Sequence, residues 1–150
     1  MSDPADPSKS HGRLSIRASA KPRDLMEEPR LVKGAWVAKV ITLFPEAFPG
    51  TLGLSLTGKA LDFGLWRLET IDLRPFGEGR HRNVDDTPAG GGAGMVLRPD
   101  VVDAALRQAR EGTPMDRARW PVIYLSPRGL PFDQATARRL ASTDGITLLC

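Results

Sequence analysis

Trp36-Val-Ala-Lys-Val-Ile-Thr-Leu-Phe44 is β-branched and nearly continuous in apolar character. A strand with one wet face alternates apolar and polar residues. A nearly continuous run of this kind suits a strand buried on both faces, as in a parallel sheet. Working outward, Pro45-Glu-Ala-Phe48 starts a short helical turn, with proline at a favourable first position. Thr57 to Trp66 reads as a second short helix, capped by Thr57, with Ala60, Leu61 and Leu65 on one face. Leu68 to Leu73 alternates as a weaker strand. Pro99 opens a helix through Val101, Val102, Ala105, Leu106 and Ala109 to about Glu111, where Gly112 and Pro114 end it. Pro121-Val-Ile-Tyr-Leu-Ser126 reads as a central strand. Asp133 caps a helix carrying Ala137, Leu140 and Ala141, closed by Gly145, and Ile146-Thr-Leu-Leu-Cys150 is a further apolar strand. Strands alternating with helices predict an α/β sheet with parallel pairs and ligand loops at the strand carboxyl ends.

The 150 residues have room for one domain, and 41% hydrophobic content is enough for a core. No stretch approaches the roughly 20 apolar residues of a membrane span. The formal charge of +3 and a pI near 9.4 are compatible with a nucleic-acid partner and equally with an ordinary solvated surface. Cys150 is the single cysteine, which excludes an internal disulfide and makes a reducing, cytoplasmic setting the default. His11 and His81 have no partner at zinc-binding spacing, so no metal site is expected. Residues 1–34 read as a disordered, solvated extension rich in proline, serine and mixed charge. Arg13-Leu-Ser-Ile-Arg17 hints at an amphipathic targeting segment. Asp3, Asp6, Asp24, Glu27 and Glu28 argue against an acid-poor transit peptide, and there is no apolar segment for secretion.

Three loops carry the chemistry. In Thr42-Leu-Phe-Pro-Glu46, Phe44, with Phe48 just beyond, can stack on a base or pack in the core. Arg80-His-Arg-Asn-Val-Asp-Asp-Thr-Pro-Ala-Gly-Gly-Gly-Ala-Gly-Met95 joins a basic cluster and an acidic pair to a glycine loop. Arg80, His81 and Arg82 suit phosphates. Asp85 and Asp86 suit a metal, a base or a guanine edge, and equally a turn, which aspartate favours. No Gly-Lys-Ser/Thr follows the glycines, and the spaced Gly-x-Gly-x-x-Gly of dinucleotide folds is absent, so a phosphate cradle is disfavoured. Close approach of backbone to a flat base or a second subunit suits the glycines better. The third loop, Tyr124-Leu-Ser-Pro-Arg-Gly129, presents strand-end backbone groups suited to an adenine edge, with Leu125 against the ring; alone it also reads as an ordinary proline turn.

Taken together, these segments resemble the bacterial tRNA (guanine-N1)-methyltransferase family. The matching pieces are Ile41-Thr-Leu-Phe-Pro-Glu46, Thr57-Gly-Lys-Ala60, Arg80-His-Arg-Asn-Val-Asp-Asp86, Pro88 with Gly90-Gly-Gly-Ala-Gly-Met95, Tyr124-Leu-Ser-Pro127, Asp133-Gln134 and Leu148-Leu-Cys150. They run in order from about Trp36 to the last residue. The resemblance implies a SPOUT-type α/β fold, a parallel sheet flanked by helices with a deep trefoil knot. It also implies S-adenosylmethionine as methyl donor, a homodimer, and methylation of N1 of the tRNA guanine immediately 3′ to the anticodon. On that resemblance Tyr124, Leu125, Ser126 and Pro127 line the cofactor pocket. Pro88, Gly90, Gly91, Gly92, Gly94 and Met95 lie beside the cofactor and the target guanine.

Ala89, Ala93 and Arg128 depart from the aromatic, proline and glutamine that the family pattern leads one to expect. The family's next segment is Gly-Arg-Tyr-Glu-Gly, followed by the remaining knot loop, the aspartate taken as general base, and a helical tRNA-gripping domain. All fall beyond Cys150. The expectation is therefore an incomplete SPOUT domain over 35–150, with the knot half and the tRNA-binding domain absent, no catalytic residue within the chain, and no activity of the chain alone. The alternative is an inactive remnant, at most an RNA-binding or dimerising module.

Overall fold

A computed structural model of the chain describes residues 34–150, so all but the last residue of the expected extension lies outside the described residues. The strands are β1 (Trp36–Thr42), β2 (Trp66–Asp72), β3 (Asp85–Asp86), β4 (Val96–Leu97), β5 (Val122–Tyr124) and β6 (Gly145–Leu149). The helices are α1 (Ser55–Asp62), α2 (Pro99–Arg110) and α3 (Gln134–Ala141). Four strands form one parallel sheet in the order β2-β1-β6-β5. Trp36 pairs with Trp66 and Thr42 with Asp72 on one side of β1, and Val37 with Gly145 and Ile41 with Leu149 on the other. A separate antiparallel ribbon pairs Asp85 with Leu97 and Asp86 with Val96.

The nearly continuous apolar run in β1 is explained by helices on both faces of the sheet. Ile41, Ile71 and Leu149 pack with Val101, Ala105 and Ala109 of α2. Ala38 and Ile146 pack with Leu140 of α3, joined by Trp36, Leu68, Ile123 and Leu148. Neighbouring β1 residues point to opposite faces, so each needs an apolar partner. Val101, Ala105 and Ala109 recur at four-residue spacing and make one helix stripe. The two alanines leave no side-chain bulk to hold α2 away from the strands. This mixed α/β architecture, a parallel sheet flanked by helices, agrees with the fold class read from the sequence.

Several boundaries differ. Helix α1 begins at Ser55, with Leu54 at the cap position, and the Thr57 hydroxyl donates to the Leu54 carbonyl at 2.9 Å instead of capping. The helix stops at Asp62, before Gly64 at φ +68°. Trp66 is thereby freed to open β2, and Leu65 is exposed. Gly145 does not close α3; Ser142 does, and Gly145 starts β6. Strand β5 is three residues long and lies at the edge of the described sheet instead of its centre, because its hydrogen bonds run to β6 alone. Asp133 caps α3 as expected, accepting from the Thr136 N–H at 2.7 Å. That hydrogen bond holds its carboxyl below the usual aspartate value.

Candidate functional site

Because the four strands run parallel, their carboxyl ends form one rim. Backbone bonds extend each end by a residue: Leu73 N–H to Thr42 O (3.1 Å), Cys150 N–H to Ile41 O (3.0 Å) and Leu125 N–H to Leu149 O (3.0 Å). Loops leaving such a rim are held at their roots while their tips stay open to a ligand.

The loop after β5 folds back at once. Gly129 N–H donates to Ser126 O at 2.9 Å, and Arg128 N–H donates to Ser126 Oγ at 3.2 Å. Between this turn and α3 lies an open groove of about 870 Å³, whose lining includes Tyr124, Leu125, Ser126, Leu130, Phe132 and Leu148. Three of the four expected cofactor residues therefore share one wall. Pro127 is exposed and lines no part of it. On the opposite face of β5, a hollow of about 440 Å³ is bounded by Met95, Val96, Leu97, Val102, Tyr124 and Leu149. Tyr124 lines both hollows. One residue expected beside the cofactor thus shares a hollow with Met95, expected beside the target base.

The glycine loop crosses between β3 and β4 as the tip of the ribbon. Gly91, Gly92 and Gly94 take φ of +74°, +114° and +97°, a region that L side chains rarely adopt. A Cβ at any of Gly90, Gly91, Gly92 or Gly94 would meet nothing within 4 Å. Within the chain, then, close approach is not what these positions require. Left-handed backbone is the requirement at three of the four, and the loop stands open to a ligand. Its one internal backbone bond runs from Gly91 N–H to Pro88 O at 2.8 Å. Pro88 is half-buried, and the four glycines line neither hollow.

Arg80, His81 and Arg82 sit exposed on a turn closed by the Glu78–Asn83 bridge. Asp85 and Asp86 are exposed on strand β3 instead of forming a turn, and Asp86 Oδ1 accepts from the Thr87 N–H at 2.7 Å. Among the described residues, no group of three or more His, Cys, Asp and Glu is placed to hold a metal ion. Phe44 is exposed and carries the Arg74 guanidinium 5.5 Å from its ring centre, so it does not pack in the core.

Sequence reasoning passed over Arg98. Its guanidinium bonds Glu78 and Asp100, which holds its pKa above even the ordinary arginine value and Asp100 below the usual carboxylate range. The one signal was an acidic residue two places on, which is indistinguishable from a helix start.

A parallel sheet flanked by helices, with two hollows that share Tyr124 at a strand end, defines an α/β domain. Residues 37–150 match the family model described as tRNA (Guanine-1)-methyltransferase TrmD, and the chain belongs to that family. A tRNA (guanine-N(1)-)-methyltransferase of Cereibacter sphaeroides (strain KD131 / KCTC 12085) is 74% identical over 120 residues, covering 80% of this chain and 48% of the relative. The Jannaschia sp. (strain CCS1) protein of the same name is 69% identical over 126 residues, 84% of this chain and 51% of the relative. That of Rhodospirillum rubrum is 54% identical over 113 residues, 75% and 45% respectively. The chain spans about half the length of the curated relatives it matches.

Proposed function

We propose that this chain supplies the methyl-donor wall and the base-facing loop of a tRNA (guanine-N1)-methyltransferase. The enzyme would use S-adenosylmethionine and act on the guanine immediately 3′ to the anticodon. The observation that carries the reading is the position of Tyr124, shared between the Leu125–Ser126 groove and the hollow that holds Met95. Donor and acceptor sites on either side of one side chain are what a direct transfer between two bound partners needs.

The groove suits the donor. Its volume lies within the range of small-molecule sites, roughly 300–1,000 Å³. Leu125 and Leu130 offer apolar surface for an adenine ring, and the turn at Ser126 brings backbone groups to its edge. When bound, S-adenosylmethionine supplies an electrophilic sulfonium methyl group. Tyr124, Leu125 and Ser126 bind and orient it, with Pro127 fixing the direction in which the loop leaves. Gly90, Gly91, Gly92 and Gly94 lay bare backbone against the guanine, and Pro88 and Met95 set the ends of that surface. Arg80, His81 and Arg82 meet tRNA phosphates. Guanine N1 carries a proton that must leave for N1 to act as nucleophile. No residue from 34 to 150 is assigned that task. The exposed Leu52, Leu54 and Leu56 form apolar surface in keeping with a homodimer. Among the described residues no helix is long and apolar enough to cross a membrane.

The test is transfer of labelled methyl to a tRNA transcript by this chain joined to the remainder of the Cereibacter sphaeroides relative. Transfer is expected with guanine 3′ to the anticodon and not with adenine there. It should fall at least tenfold in Ser126→Pro and Gly91→Val variants. A folded joined protein that leaves the guanine transcript unmethylated would reduce the chain to an RNA-binding or dimerising module.

A further inference from the structure

Arg98 lies between β4 and α2, and the functional reading leaves it without a role. Its backbone N–H donates to the Val84 carbonyl at 2.8 Å, tying the two legs of the ribbon together below Asp85 and Leu97. Its side chain reaches in two directions. Nη2 lies 2.7 Å from Glu78 Oε2 and 2.7 Å from Asp100 Oδ2, and Nε donates to Asp100 Oδ1 at 3.2 Å. Glu78 in turn closes the basic turn: its N–H donates to Asn83 O at 3.3 Å, and Asn83 N–H donates to Glu78 O at 3.0 Å. Asp100 belongs to the first turn of α2, whose Val101 and Ala105 are fully buried against the sheet.

One residue therefore joins three bodies: its backbone closes the base of the glycine ribbon, and its guanidinium links that base to the turn bearing Arg80 to Arg82 and to a helix seated on the core. A lone exposed ion pair contributes little, since salt and side-chain entropy erode it. This one is bidentate toward Asp100, has a second carboxylate partner, and its Arg98 side chain is only 25% exposed. A planar fork with several fixed donors makes such a three-way joint; the point charge of a lysine does not.

We propose that Arg98 is a positioning residue that holds the basic turn and the glycine ribbon as one rigid unit on α2. Held so, the loop keeps a constant aim over the cleft between Met95 and Tyr124. What the loop is aimed at rests on the functional reading above; the coupling itself is a property of this fold.

The experiment is ¹⁵N relaxation on the full 150-residue chain, comparing Arg98→Gln, Arg98→Lys and Arg107→Gln. Arg107 pairs with Asp103 on the exposed face of α2 and serves as the control. In Arg98→Gln, backbone order parameters at Arg82, Asp85, Asp86, Val96 and Leu97 are expected to fall from the rigid value of about 0.85 to below about 0.6. Those in β1 and the middle of α2 should hold. Lysine should restore little of the loss, and Arg107→Gln should cause none. Unchanged values in Arg98→Gln, or the same loss in Arg107→Gln, overturn the proposal. Should Arg98→Gln fail to fold, Glu78→Gln decides it, since that variant removes only the arm to the basic turn. Loss confined to 79–83 supports the joint, and no loss there sinks it. A loosened ribbon here, with a joined protein that leaves the guanine transcript unmethylated, would support the coupling and defeat only the functional reading.

Discussion

Gly145 stands at the start of β6, beneath Trp120. A Cβ there would lie 2.5 Å from the Val37 carbonyl oxygen and 2.6 Å from the Trp120 ring. The ring cannot retreat freely, because its Nε1–H donates to Thr147 Oγ1 at 2.9 Å inside the core. Gly145→Ala is therefore expected to destabilise the fold by roughly 1–3 kcal/mol, the usual cost of overpacking. Urea unfolding should show it as a lower midpoint at constant slope; an unmoved midpoint would mean that β1 and β6 do not approach so closely. Asp133 supplies a pH signature. Its folded pKa is depressed by the Thr136 N–H, so its capping contribution is fully present above the unfolded value, about 3.9, and is lost as pH falls through the lower folded value. The gap in melting temperature between the parent chain and Asp133→Ala should be widest near neutrality and shrink on acidification below about pH 4. A gap that stays constant down to acid pH would rule out a charged cap.

Strand β1 and helix α2 are locked through a lysine inside an otherwise apolar run. Lys39 Nζ donates to the Glu111 carbonyl just past the end of α2 at 2.9 Å, lies 3.4 Å from Glu69 Oε2 on β2, and sits 6.0 Å from the Trp120 ring centre. A cation at a helix carboxyl end satisfies a carbonyl that has no partner within the helix. Lys39→Ala should cost about 1–3 kcal/mol, through the orphaned carbonyl and lost stem packing. Glu69→Gln, on a side chain 45% exposed, should cost less than about 1 kcal/mol. Chemical denaturation of both variants checks the ranking, and equal losses would place the weight on the ion pair instead of the carbonyl.

At the scale of the whole molecule, the edge strand β5 separates two hollows and leaves apolar surface uncovered. Leu130 is 97% exposed and Phe132 74% exposed, both lining the larger groove. Apolar surface beside an open strand edge favours association of copies. The chain is expected to self-associate as its concentration rises, with the onset moved upward severalfold in Phe132→Glu. Sedimentation velocity across a concentration series measures this. A monomer at every concentration would show that the groove is too narrow or too mobile to bind a neighbour.

Local order was legible in the residues themselves. The apolar run at Trp36 to Thr42, the four-residue spacing of Val101, Ala105 and Ala109, and Asp133 ahead of α3 each describe a segment whose conformation follows from its own side chains. The glycine run announced a loop, but it read as a place of close approach, whereas positions 91, 92 and 94 require positive φ instead. What the tertiary structure alone decided depends on residues far apart in the chain. Gly145 looks like a helix stop until Trp120 and Val37 are above it. Strand β5 looks central until, among the described residues, it pairs with β6 alone. Arg98 looks like a surface arginine until the fold brings Glu78, twenty residues earlier, within 2.7 Å. Periodicity and capping are encoded between neighbours in sequence. Packing distance, strand order and ion-pair partnership are set only when the sheet brings separated segments together.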